Sequence, residues 1–271
     1  MNEYAALLEN VRAKKPLVHH ITNYVTVNDC ANITLAIGGS PVMADELADA
    51  MDIAAISSAV VLNMGTLNER TIPVMLAVGK SANAKGIPVV FDPVGAGASK
   101  PRNETAAKLL SEVALAAVRG NISEIRFLAG LRSHTKGVDA SDADLAGASD
   151  AKQAAKSLAE RTGGVVAVTG AQDVITDGKK TVSVSNGVAM LGSLTGTGCM
   201  CSSLIGCYLG ANPDKPFESV TAALLSMGIA GEIAHERAGH LGSGSFRAAL
   251  HDAMSRMDAS VLERRAKYDE A

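Results

Sequence analysis

Residues 87–98 read IPVVFDPVGAGA. The first five positions are continuously apolar, as a strand buried on both faces should be. Asp92-Pro93 then ends the run, and Val94 to Ala98 reads as a glycine-rich turn. The same grammar recurs on either side. Apolar runs at 17–21 (LVHHI), 52–56 (DIAAI), 59–63 (AVVLN), 124–128 (EIRFL), 164–168 (GVVAV) and 180–184 (KTVSV) predict further strands. Stretches at 26–37, 68–85, 103–118 and 149–161 predict helices between them. Beyond residue 197 the pattern is wholly helical, at 197–210, 216–238 and 244–266. Strand, helix and strand in repetition predict an α/β fold with a central, mostly parallel sheet flanked by helices. No repeat, low-complexity tract or linker divides the chain, so residues 1–271 read as a single domain.

Composition narrows the function. Against 25 Lys and Arg stand 28 Asp and Glu, a net charge of −3. Binding to nucleic acid or an anionic membrane needs a basic face, which this balance argues against. Aromatic residues are 3% of the chain and Trp is absent, so base-stacking platforms are not expected. Residues 181–213 carry no charge, but Gly, Ser, Thr and Asn interrupt them throughout, so they do not read as a membrane span. The start, MNEYAALLENVRAKK, has no apolar core of a signal peptide. The four cysteines, Cys30, Cys199, Cys201 and Cys207, are too few for a disulfide scaffold. A cytoplasmic protein with reduced thiols is expected.

In open α/β sheets, ligands bind beyond the carboxyl ends of the strands. The strongest motif there is Thr195-Gly196-Thr197-Gly198-Cys199, which opens the helix MCSSLIGCYLG. Glycine lets a backbone approach a ligand closely, and a helix N-terminus offers unpaired N–H groups and a positive dipole end. Together they make an anion hole suited to a transferring phosphoryl group. A tight turn without ligand is the competing reading. It is not a G-x-x-x-x-G-K-[ST] loop, because Gly79-Lys80-Ser81 has Val74 where that loop needs glycine. No G-x-G-x-x-G is present either. Cys199 at a helix N-terminus reads as a reactive group of lowered pKa, or equally as a small buried hydrophobe. Asp92 and Asn121-x-x-Glu124 supply carboxylates of the kind Mg²⁺ takes beside phosphates. Alternatively, Asp92 is a turn residue and Glu124 a solvated strand-edge charge. His235 and His240 are at i and i+5 and diverge on a helix, which excludes a paired zinc ligand. His19 and His20 must face opposite sides of their strand, and packing is the expected role of at least one.

Taken together, the motifs resemble the hydroxyethylthiazole kinases of the ribokinase-like superfamily. The matching segments are VHHITNYVTVNDCAN at 18–32, GGSPVMA at 38–44, VVLNMGTLNE at 60–69, PVVFDPVGAGAS at 88–99, RGNISEI at 119–125, TKGVD at 135–139, VVAVTGAQDVITDG at 165–178, LTGTGCMCSS at 194–203 and GSGSFRAALHDA at 242–253. They span nearly the whole chain in order. The resemblance implies a ribokinase-like fold, a homotrimer with active sites between subunits, and ATP- and Mg²⁺-dependent phosphorylation of the hydroxyl of the thiazole in thiamine salvage. It implies Asn23, Met43 and Gly196 as substrate-binding residues, Arg119 and Thr169 as ATP contacts, and Asp92 and Glu124 as the magnesium set. Gly196, Thr197, Gly198 and Cys199 become the anion hole. The wider superfamily usually has a catalytic Asp where Cys199 stands, so Cys199→Asp is expected to keep or raise activity. A kinase for another alcohol and a non-catalytic binding protein on the same fold are the rival expectations.

Overall fold

The computed structural model describes residues 3–131 and 140–270, and for 140–148 the backbone path alone. The segment TKGVD at 135–139 lies outside the described residues. Among these, strands β1 (Leu17–Ile21), β2 (Ser40–Met43), β3 (Ala59–Asn63), β4 (Val89–Asp92), β5 (Ala117–Asn121), β6 (Val165–Thr169), β7 (Asp173–Thr176), β8 (Thr181–Val184) and β9 (Tyr268–Glu270) form one sheet. Its order is β2-β1-β3-β4-β5-β6-β7-β8-β9. The strands from β2 to β6 run parallel, and β7, β8 and β9 extend the sheet antiparallel. The central sheet is therefore mostly parallel, as expected.

Helices α1 (Glu3–Lys14), α2 (Val27–Ile37), α3 (Leu47–Ile56), α4 (Thr71–Ala84), α5 (Lys100–Glu112), α6 (Ile122–Leu128), α7 (Ala140–Thr162), α8 (Thr197–Ala211), α9 (Pro216–Ala238), α10 (Ser243–Ser255) and α11 (Ala259–Arg265) cover both faces. Side chains alternate across a strand, so each strand feeds two cores. Val18, Val61, Val90, Ala117 and Ala167 pack under α1, α2, α8, α9 and α10. Ile21, Val60, Leu62, Phe91, Val118 and Val166 pack under α3, α4, α5, α6 and α7. Phe91 is fully buried, and removing such a side chain from water contributes about 2–3 kcal/mol. Helix α8 lies directly on β1, β3, β4 and β5, with α9 beside it on β6, β7 and β8, which explains its uncharged sequence. Helix α9 is long and apolar enough to cross a membrane, but 83% of its apolar window is buried inside the fold, where it serves as a core helix.

Four expected elements are corrected. The run at 52–56 belongs to helix α3, whose N-cap Glu46 accepts from the N–H groups of Ala48 and Asp49. Ala50 and Ala54, one turn apart, are its buried face. The run at 124–128 belongs to helix α6, and the strand is Ala117–Asn121 instead. The helix expected to reach 118 ends at Glu112, before this strand. The helix expected over 244–266 divides into α10 and α11, because Asp258 caps a new helix by accepting from Val261 N–H.

Candidate active site

The carboxyl ends of the parallel strands bring polar side chains to one place. β3 ends in Asn63 and β4 in Asp92, paired in register. Asn23 lies just beyond β1, Arg119 is in β5, and Thr169 closes β6 opposite Asn121. The N-terminus of α8, with Cys199 and Ser202, faces them. All polar atoms of the Asn63 amide are engaged. Its Nδ2 donates to Asp92 Oδ2 at 2.8 Å and to Cys199 Sγ at 3.2 Å. Its Oδ1 accepts from Asn23 Nδ2 at 3.0 Å and from Gly65 N–H at 2.9 Å. Asn23 Nδ2 also reaches Cys199 Sγ at 3.4 Å, while Thr26 donates to Asn23 Oδ1 from both its hydroxyl and its N–H. Ser202 Oγ donates to Asp92 Oδ2 at 2.8 Å.

The glycines of the 195–199 loop have distinct geometric reasons. Gly196 caps α8 at φ +88, and a Cβ there would lie 2.7 Å from Thr26 Cγ2. Gly198 faces the Arg119 guanidinium, and a Cβ would come within 2.3 Å of its Nη1. Arg119 thus lies across the first turn of α8, whose N–H groups have no acceptor within the helix. The guanidinium also donates to Thr169 Oγ1 and sits 3.7 Å from Asp92 Oδ2. Its Nε is buried and has no partner. A guanidinium beside an open helix N-terminus is a strong anion-binding combination.

Glu124 is the third residue of α6, not a strand-edge charge. Its Oε2 accepts from Asn121 N–H at 2.8 Å while Asn121 Oδ1 accepts from Glu124 N–H at 2.9 Å, a reciprocal capping box. Its Oε1 accepts from Gly95 N–H at 2.8 Å. The N-x-x-E spacing therefore has a local structural cause and also fastens the 95–97 turn to α6. The carboxylates fit a magnesium ion in one specific respect. Asp92 Oδ1 is buried with no partner, and a hard cation takes such oxygens. Glu124 keeps lone pairs beside its two N–H contacts. Among the described residues no group of three His, Cys, Asp or Glu is close enough to form an all-protein metal site.

Burial dominates the electrostatics. Burial pushes Asp92 above the ordinary carboxylate range, against the pull of Arg119, Ser202 and Asn63. Burial, then the Asp92 charge, pushes the Cys199 thiol up, against hydrogen bonds from Thr26, Asn23 and Asn63. The fall expected from a helix N-terminus alone is opposed, and the shift runs toward the protonated thiol. Burial also pushes Asp173, which accepts from Gly170 N–H, up to about 6.

Asn23, Asp92, Arg119, Thr169, Gly196, Thr197, Gly198 and Cys199 gather here, with Glu124 behind the 95–97 turn. Met43 is set apart, half-buried at the end of β2 and paired in register with His20. Both histidines are packed. His19 Nε2 bonds Ala44 O at 2.8 Å and His20 Nδ1 bonds Val18 O at 3.0 Å. Cys30, Cys201 and Cys207 are buried free thiols. Sequence reasoning missed Asn63, Ser202, Thr26 and Asp173. Only Asn63 carried a signal, as the polar terminus of an otherwise apolar strand.

Comparison with known proteins gives a family match over most of the chain. Residues 8–260 match the model of the hydroxyethylthiazole kinase family. The chain is 55% identical over 274 aligned residues to a hydroxyethylthiazole kinase of Ruminiclostridium cellulolyticum, covering 100% of both chains. It is 55% identical to that of Clostridium beijerinckii, covering 98% of this chain and 96% of the other. A solved hydroxyethylthiazole kinase structure from Pyrococcus horikoshii superposes with a TM-score of 0.91 at 37% identity, covering 100% of each chain. The pyridoxal kinase of Staphylococcus aureus in complex with pyridoxal gives a TM-score of 0.67 at 15% identity, over 95% of this chain and 98% of that one, a likeness of fold alone.

Proposed function

Because the chain belongs to the hydroxyethylthiazole kinase family, we propose that the polar cluster at the carboxyl ends of β1, β3, β4, β5 and β6 is where it phosphorylates the thiazole alcohol. The observation that carries this is one continuous hydrogen-bonded path. It runs from Asn23 through Asn63 to Asp92, beside the open N-terminus of α8. The thiazole is small and neutral. Asn23 offers it directional hydrogen bonding and Gly196 a close backbone approach, while Met43, set apart at the end of β2, would add a polarizable thioether where the pocket extends to that edge. Arg119 and Thr169 take the ATP phosphates, and the N–H groups of Thr197, Gly198 and Cys199 stabilise charge on the transferring group. Asp92, with Glu124, would hold magnesium. When bound, the ion supplies neutralisation of phosphate charge.

A loose phosphoryl-transfer transition state requires little early deprotonation of the alcohol. A neutral Cys199 thiol is therefore adequate: it orients the hydroxyl toward the phosphorus and is a weak proton acceptor. In this reading Cys199→Asp keeps or raises turnover. The enzyme works as a cytoplasmic homotrimer with the site at a subunit boundary. Tyr24, 79% exposed, with Val25, Leu47 and Ile56 also in water, supports that assembly.

The test is ADP release from Mg-ATP with hydroxyethylthiazole, with the product mass confirmed and Cys199→Ala run beside the wild type. Formation of the thiazole phosphate, with the Ala variant reduced by about tenfold, is the expected result. Thiazole binding without any phosphate ester would make the chain a binding protein instead.

A further inference from the structure

The function above gives Asn63 no role beyond linking Asn23 to Asp92, yet among the described residues its amide touches both halves of the site. It is 2% exposed, and its two donors and two acceptor positions are all occupied. On one side is Asn23, the residue read as holding the thiazole. On the other is Asp92, read as belonging to the phosphate and magnesium half. Between them is Cys199. Its sulfur accepts from two amide groups, those of Asn23 and Asn63. Thr26 hydrogen-bonds the same thiol, so Cys199 is held by three side chains. The backbone makes this arrangement reproducible. Asn63 is the last residue of β3, in register with Asp92 on β4, and Gly65 N–H returns to the same amide oxygen two residues later.

We propose that Asn63 is a positioning residue that fixes the Cys199 thiol and the Asp92 carboxylate relative to the alcohol pocket. The residue touches neither substrate. It acts by holding a sulfur and a carboxylate oxygen in one frame, so that the acceptor hydroxyl and the phosphoryl group meet in line. The inference rests on the site assignment made above.

The physical expectation separates it from a merely structural amide. Misplacement of reacting groups by an ångström or so costs about a hundredfold in turnover while leaving remote binding contacts intact. Asn63→Ala is therefore expected to lower kcat by about a hundredfold, with the KM for ATP within about threefold of wild type. Asn63→Ser, whose shorter hydroxyl keeps one donor and one acceptor, is the second variant should the alanine protein fail to fold. It is expected to retain more turnover than alanine. A readout independent of catalysis is the alkylation of Cys199 by iodoacetamide, located by mass spectrometry, because the other three thiols are buried. Freed from the Asn63 amide, Cys199 should change its alkylation rate by at least about fivefold in a protein whose far-UV spectrum is unchanged.

Three results overturn the proposal. One is a kcat within about threefold of wild type in a folded Asn63 variant. Another is an unchanged Cys199 alkylation rate. The third is a fall in kcat that only tracks loss of folded protein. If the wild type does not phosphorylate the thiazole, the functional reading fails, and the alkylation rates still decide whether Asn63 holds Cys199.

Discussion

The two ends of the same sheet differ in kind. At the amino end, a cavity of about 790 Å³ opens among Gly86, Pro88, Ala116, Gly163, Gly164 and Phe217. Among the described residues, none lining it carries a buried polar atom without a partner. At the carboxyl end, the buried atoms Asp92 Oδ1 and Arg119 Nε lack partners. Such groups cost free energy unless something else occupies them. The amino-end cavity is thus empty volume without polar demand, whereas the carboxyl end holds buried polar atoms that a ligand could engage.

The largest expected effect tests that stored cost directly. Asp92→Asn should reduce turnover by about a thousandfold while leaving the fold intact, since the amide still reaches Ser202 and the strand is unchanged. Steady-state assays with circular dichroism on the same samples would check it. Next is the response to acid. Burial holds His20 down to about 4 against its ordinary 6.5, and burial lowers His19 as well. The folded protein keeps His20 neutral, while the unfolded chain takes up a proton. Its stability contribution is complete above pH 6.5 and is lost as pH falls toward 4. The full window amounts to about 3 kcal/mol for His20 alone. Urea melts across that range should show the loss, and His20→Leu should flatten it.

A smaller effect is expected at Gly198. An added methyl displaces the Arg119 guanidinium, so Gly198→Ala should raise the KM for ATP by about tenfold without unfolding α8. The smallest is the control at the other end of the sheet. Lys179→Ala, at the rim of the amino-end cavity, should leave kcat within about twofold and stability within about 0.5 kcal/mol. A large loss of activity there would erase the contrast between the two ends.

Much of this is legible in the amino-acid sequence alone. The strands at 17–21 and 59–63 and the helices at 197–210 and 216–238 follow from periodicity and length, because long or fully buried elements leave strong patterns. The run DIAAI was not separable from a helix by pattern alone, since a short apolar run fits both periods. The strand AVRGN escapes because Arg119, Gly120 and Asn121 interrupt its apolar pattern. EIRFL was read as a strand because its capping box begins at Asn121, inside that missed strand. Site residues within motifs, such as Gly198 and Cys199, could be found locally. Asn63 shows in the sequence only as a polar strand terminus, since its meaning comes from the β3–β4 register and a helix much further along the chain.

The central claim is that one cluster has two halves joined through Asn63, an alcohol pocket at Asn23 and a phosphate pocket at Arg119. The most direct test is calorimetric titration of Asn23→Ala and Arg119→Ala with hydroxyethylthiazole and with ATP separately. The account predicts that Asn23→Ala weakens thiazole binding and spares ATP, and that Arg119→Ala does the reverse. If both variants lost the same ligand, or neither lost any, the assignment of this cluster would be contradicted.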